Sequence, residues 1–312
     1  MRFKAMFGLC ATMALAAVIP GPAMAWSEGT HQLTGEIAYD DLAANNPGTL
    51  AALQKILLAH PHYARFAAHA EGLEGAARDR AIFGWLARWS DDIRTTPYDN
   101  PEWHYELRVA YGWDRLWSGR NGTAREGFAT NLAKLSDPKA PAADRAIAMG
   151  WLLHIVGDIQ QPLHAGHRLS GGYLRSDRAG SLAFVRRQTD SRAVDMHEFW
   201  DQFLELGGSK LPKGQTSWSQ EIAARWPRSK LPELAPIKEP KAAFSFWLDE
   251  SYHLARRFAY TGTFLNATKD EREAPVITPR ENRMTNILAI RRVADGGYRI
   301  ADLLTHAVGG GS

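Results

Sequence analysis

The stretch from Trp151 to His164, WLLHIVGDIQQPLH, sets His154 and Asp158 four residues apart in a helical segment, stops that segment at Pro162 and delivers His164 just beyond the stop. Four residues along a helix bring two side chains onto one face, about 5–6 Å apart at Cβ, a separation that suits two groups sharing a metal ion. His197 and Asp201, in DMHEFWDQF, repeat the spacing. One such pair equally describes a buried histidine bonded to an aspartate one turn away; two pairs with His164 between them point to metal. Imidazole nitrogens and carboxylate oxygens are zinc ligands, and thiolate is excluded: the only cysteine, Cys10, lies in the first 25 residues.

Those 25 residues read as a secretory leader, with Arg2 and Lys4, an apolar run from about Ala5 to Ile19, and Ala-Met-Ala at the end. The run is too short for a membrane anchor, so the mature chain is expected to be soluble and secreted or periplasmic. Losing Arg2 and Lys4 lowers the formal charge from +3 to +1, which excludes a generally basic nucleic-acid binder. Cleavage after Ala25 makes Trp26 the N-terminus, and its α-amine, with a pKa of about 7.7–8.0, can deprotonate onto a metal. The rest is ordinary globular composition, 45% hydrophobic and 23% charged.

The elements that must position these residues read as helices. A short one is expected over Glu36 to Ala44, broken at Asn46-Pro47, and a second over Thr49 to Ala59 with Leu50, Leu53, Ile56 and Leu57 on one face. Ile82, Trp85, Leu86, Trp89 and Ile93 give helical spacing from about Ala76 to Ile93, closed by Asp91, Asp92 and Arg94. Turn-rich sequence leads on to Trp103-His104, and an amphipathic run covers Phe128 to Leu135. The central helix spans Asp144 to Gln161, and the helix carrying His197 is expected to stop near Gly207-Gly208. Leu211 to Lys241 reads as irregular. Helices over Ala242 to Tyr260 and Thr278 to about His306 close the chain, the last with a capping box at Thr278 and Glu281 and a weak point at Gly296-Gly297. With no strands, repeats or linker evident, the class is all-α and one domain, residues 26–312.

In order along the chain, Trp26-x4-His31, WSDDIR at 89–94, WHY at 103–105, the 154–164 histidine motif and HxxWD at 197–201 resemble the zinc-dependent, single-strand-specific nucleases of fungi and plants, the class I nucleases or 3′-nucleotidases. The resemblance implies a multi-helix phospholipase C/nuclease-like fold with a trinuclear zinc cleft. It places one Zn2+ on Asp91, His104 and His154, with Asp158 bridging to a second held by the Trp26 terminus and His31, and a third on His164, His197 and Asp201. It implies hydrolysis of single-stranded DNA or RNA to 5′-phosphates, action on 3′-nucleotides, and Arg94 beside the scissile phosphate; Arg94 also fits a helix C-terminus complementing its dipole. Asp91 and Asp92 remain alternatives by facing alone, the motif frame favouring Asp91. No protein partner is implied.

The chain departs from that family's pattern in three places, one of them a loop to His197 that is longer than usual. Leu107 stands where an Asp or Asn is usual near the attacking water, and Leu169-Ser170-Gly171-Gly172-Tyr173 replaces an acidic residue followed by Gly-Gly-Asn; Tyr173 offers a base-stacking platform. The Arg-rich passage with Arg168, Arg175, Arg178, Arg186 and Arg187 reads as a solvated loop or a phosphate-contacting rim. His60, His62, His69, His167, His253 and His306 fit no motif, His167 being the one expected nearest the site. A related zinc phospholipase C, and a non-catalytic protein stabilised by zinc, are the alternative functions; the short Trp26–His31 spacing and Asp201 favour the nuclease over the phospholipase.

Overall fold

The computed structural model describes residues 28–113, 121–202 and 217–309. Trp26, the leader and the expected stop at Gly207-Gly208 lie outside them. Helix α1 (Glu28–Asn45) is longer than its apolar pattern and ends at the Asn46-Pro47 break, where Pro47 starts α2 (Pro47–Leu57). Leu50, Leu53, Ile56 and Leu57 are buried as the periodicity predicts. A short α3 (Tyr63–His69), which the sequence did not suggest, lays His69 on Trp85 with ring centres 3.7 Å apart. Helix α4 (Gly75–Asp92) then turns Ile82, Leu86 and Trp89 inward.

Helix α5 (Ala124–Ser136) leads to α6 (Ala142–Asp158), the central helix, buried along its length from Ala148 to Asp158. A helix apolar all round needs neighbours all round, and α1, α4, α5 and the last helix supply them. One core surrounds Leu86, Trp89, Trp151 and Leu152; a second, with Leu163, Phe199, Trp200 and Phe264, lies beyond His164. The buried carbonyls just past the end of α6 are satisfied by side chains. Ser251, from α9 (Pro240–Leu254), donates to Ile159 O, and Arg292, from α10 (Pro279–Gly309), donates Nε–H to Gln160 O at 3.0 Å. Buried Arg292 thus puts a cation at the C-terminal end of the helix dipole.

The capping box at Thr278 and Glu281 forms, but Gly296-Gly297 is no weak point: α10 runs through it unbroken. The reason is packing, since a β-carbon at Gly297 would lie 2.5 Å from Cβ of Ile37 on α1. Two further corrections concern local structure. The Leu211–Lys241 passage contains α8 (Trp218–Arg225), begun by a Ser217/Gln220 capping box. Short strands also exist: β1 (Arg108–Gly112) pairs in parallel with β2 (Gly166–Leu169), and β3 (Phe184–Val185) with β4 (Val194–Asp195) antiparallel. The β1–β2 ladder begins at the site, with Glu106 N–H on His164 O at 3.0 Å and Arg108 N–H on Ala165 O at 3.1 Å. No helix among the described residues is long and apolar enough to cross a membrane.

Candidate metal centre

Six elements meet where α6 ends. Helix α1 brings His31, the last turn of α4 brings Asp91, and a 3-10 turn (Pro101–His104) brings His104. Helix α6 contributes His154 and Asp158, the turn Pro162–His164 supplies His164, and α7 (Met196–Asp201) carries His197 and Asp201. All eight side chains are buried. Asp158 is central: its Oδ2 lies 3.0 Å from His104 Nδ1 and 3.2 Å from His154 Nε2, while Oδ1 lies 3.1 Å from His31 Nε2 and 3.9 Å from His164 Nδ1. Asp91 stands opposite, with Oδ2 3.7 Å from His31 Nε2 and Oδ1 3.7 Å from His154 Nε2.

Backbone carbonyls aim three of the rings. His154 Nδ1 donates to Ala87 O at 2.9 Å, His164 Nδ1 to His104 O at 2.6 Å, and His197 Nδ1 to Ala179 O at 2.9 Å. Each bond spends the Nδ1–H and turns an Nε2 lone pair into the site, as is usual around metals. Nε2 of His164 and Nε2 of His197 then face each other at 3.2 Å, and Asp201 Oδ2 lies 3.5 Å from His197 Nε2. Asp91 Oδ2, His104 Nε2 and His31 Nδ1 are buried without a hydrogen-bond partner, while Asp158 Oδ1 and His31 Nε2 face each other at 3.1 Å. Buried polar atoms are rarely left so, and here carboxylate oxygens and imidazole lone pairs converge, which is the donor set of a cation site.

The electrostatics agree. Burial opposes charge on Asp158, but His154, His164 and His31 outweigh it and hold the carboxyl well below the usual range. Asp91 is likewise lowered, against burial, by His154, His31 and His104. His154 is raised despite burial, by Asp158 and Asp91, whereas burial lowers His31 and takes His104 to about 4. The cluster therefore attracts positive charge onto its middle. Asp201 sits in a poorer environment: burial pushes its carboxyl well above the normal range, against a 2.9 Å hydrogen bond from Gln161.

Three groups could each hold an ion: His31, Asp91 and His154; His104, His154 and Asp158; and His164, His197 and Asp201. The third is the set that the resemblance implies. In the first two, the described residues share His154, and Asp158 reaches both neighbourhoods. Asp91, not Asp92, faces the site, because Asp92 turns to Arg88 at 2.9 Å and Arg65 at 3.4 Å. Arg94 donates to Asp91 Oδ1 at 2.8 Å and lies 3.8 Å from Asp99.

Other expectations fare differently. Tyr173 is buried, lies beneath Arg168 and Lys269 and donates its hydroxyl to Ala267 O, so it offers no stacking platform. Arg168, Arg186 and Arg187 brace backbone carbonyls of Leu265, Ser191, Glu271 and Phe199; of these five arginines Arg175 and Arg178 are exposed. Leu107 is buried and bridges to Asn121, and neighbouring Glu106 is committed to Arg125 at 2.7 Å. The remaining histidines join no candidate cluster among the described residues: His60 and His62 pack on Trp89, His167 contacts Ser176, and His253 and His306 are exposed. Gln161 was overlooked in sequence, although two consecutive glutamines inside an apolar run signal buried hydrogen bonding.

Residues 26–309 match the profile of the S1/P1 Nuclease family. Two relatives, Nuclease P1 of Penicillium citrinum and Nuclease PA3 of a Penicillium species, are each 24% identical over 172 residues, which is 50% of this chain and 57% of the relative. The chain thus spans little more than half the length of the curated relatives it matches.

Proposed function

Because the chain belongs to the S1/P1 nuclease family, we propose that it is an exported, zinc-dependent phosphodiesterase. It cleaves single-stranded DNA or RNA to 5′-phosphate products and acts on 3′-nucleotides, with residues 1–25 removed and 26–312 working as one domain. The observation that carries this reading is the convergence of buried carboxylate oxygens and imidazole nitrogens about Asp158, several of them, among them Asp91 Oδ2 and His104 Nε2, without a hydrogen-bond partner. Those atoms have the chemistry of zinc ligands.

In this reading Asp91, His104 and His154 would hold one Zn2+, His31 and the Trp26 terminus a second with Asp158 available to both, and His164, His197 and Asp201 the third. When bound, zinc activates a water and withdraws charge from a phosphoryl oxygen. Asp91 has two tasks. Its Oδ1 is fixed by Arg94, while Oδ2, with no hydrogen-bond partner, would be shared between the cation it helps to hold and a hydrogen bond from the attacking water. That assignment supplies an acceptor where Leu107 has none. Arg94 keeps a guanidinium cation beside Asp91, at the edge where a phosphate would approach.

The test uses purified mature protein, with and without chelator, on single-stranded DNA, RNA, 3′-AMP and phosphatidylcholine. Zinc-restorable nucleotide release is expected. Choline phosphate release would transfer the chain to the phospholipase reading, and zinc binding without turnover to a non-catalytic one.

A further inference from the structure

His197 is aimed by a segment the chemistry does not otherwise use. The Ala179 carbonyl that takes its Nδ1–H lies in a run of three left-handed residues, Arg178 (φ 53°), Ala179 (φ 56°) and Gly180 (φ 92°). Glycine adopts this conformation freely; Arg178 and Ala179 do so at a cost and persist only where surrounding contacts dictate it. On one side the dictating contacts come from Asp177, which is fully buried. Its Oδ1 accepts from Arg168 N–H at 2.9 Å and from the Tyr260 hydroxyl at 3.2 Å, and its own N–H donates to Arg168 O at 3.0 Å. Asp177 is thereby fastened to β2, the strand that begins two residues after His164.

On the other side, Gly180 O accepts from Met196 N–H at 3.2 Å, at the start of α7. A β-carbon on Gly180 would meet Met196 Cβ at 2.8 Å and Leu163 Cδ1 at 3.2 Å, so the turn is wedged between the residues preceding His197 and His164. Burial pushes the Asp177 carboxyl up to about 6, an expensive placement for a group that only closes a loop.

We propose that Asp177 is a positioning residue for the His164–His197–Asp201 group: by pinning the Arg178–Gly180 turn to β2 and Tyr260, it holds the Ala179 carbonyl on His197 Nδ1 and fixes that ring's tautomer. Its consequence for zinc rests on the metal reading above; its consequence for the tautomer does not.

The test is a long-range 1H–15N correlation of the imidazoles in metal-free protein. Wild type is expected to show His197 protonated at Nδ1. Asp177→Ala should give a mixture with the Nε2–H form at His197 alone, and Asp177→Asn, whose amide oxygen keeps the bonds from Arg168 and Tyr260 but whose amide nitrogen cannot accept from Gly180 N–H, should restore most of the wild-type spectrum. If Asp177→Ala does not fold, Tyr260→Phe removes one of those bonds and should give a smaller shift in the same direction. Chelator competition adds a second readout: one ion per chain is lost roughly tenfold more easily, within the range for such supporting contacts, with the others unchanged. An unaltered His197 tautomer in Asp177→Ala, or equal weakening of every ion, overturns the proposal. Wild type that binds no zinc sinks the metal reading alone, because the tautomer measurement still decides the role of Asp177.

Discussion

Nε2 of His164 and Nε2 of His197 face each other across 3.2 Å in a buried space, each ring having given its Nδ1–H to a backbone carbonyl. Two lone pairs at that distance repel, and a shared cation turns the repulsion into coordination. Zinc at a hundredfold excess over its dissociation constant should therefore stabilise the fold by about 2.7 kcal/mol per site. At about 2–4 °C per kcal/mol for a chain of this size, chelation should lower Tm by at least about 5 °C, read by calorimetry. A Tm indifferent to chelator and to added zinc would falsify the cation assignment.

Asp158 reaches four histidines through its two oxygens. Asp158→Ala should for that reason release more than one ion per chain, where His31→Ala or His197→Ala releases one. Activity on single-stranded DNA should fall by at least about a hundredfold, beyond the loss for either histidine, since removing one partner leaves the other charges buried and unpaired. Elemental analysis after gel filtration counts the ions. Asp158→Ala retaining the full complement would remove Asp158 from the centre of the site.

Much of this was legible in the sequence because helices announce themselves locally. The i, i+4 pairs His154/Asp158 and His197/Asp201 need only a helix to converge, and both stand on one. The Asp91/Asp92 ambiguity was of another kind: facing depends on where Arg65 and Arg88 lie, which is tertiary information. The strands were illegible since β1 and β2 are only five and four residues long, with a register shift between Val109 and Tyr111 that erases alternation. Gly296-Gly297 misled because a glycine tolerated for close packing looks, in sequence, like one that breaks a helix. Asp177 gave no signal at all, its partners Arg168 and Tyr260 being near and far in sequence and united only by the fold.

Behind the site, Glu250 binds two buried arginines, Arg292 and, at 2.7 Å, Arg299. Burial would raise its pKa, but the two guanidiniums prevail and bring it down to about 2. A carboxylate lowered on folding stabilises above its unfolded pKa of about 4.3, and that contribution disappears as pH falls through about 2. Glu250→Gln should thus cost about 3–5 kcal/mol near pH 7, as for other buried ion pairs stripped of one partner. The gap between wild type and variant should narrow from about pH 4.5 downward in urea titrations, following the linkage of protons to folding. A gap constant between pH 7 and pH 2.5 would contradict the assignment.

Gly157, one residue before Asp158, faces α1 at the site. A β-carbon there would sit 3.2 Å from His31 Nδ1 and 3.4 Å from Thr34 Oγ1. Alanine gains about 1 kcal/mol of helix propensity over glycine, which offsets the cost of a contact that needs only a few tenths of an ångström of relief. Gly157→Ala should accordingly leave Tm within a few degrees of wild type. The relief comes from the His31 ring, which stacks on His154 at 3.9 Å and presents Nε2 to Asp158. Displacing that ring should weaken one ion, the one His31 helps to hold, by roughly tenfold, and lower kcat more than it raises KM. Stability and metal affinity are then expected to part company in a single variant. If Gly157→Ala instead loses stability and keeps every ion at wild-type affinity, the close approach serves packing alone and His31 is not part of the metal centre.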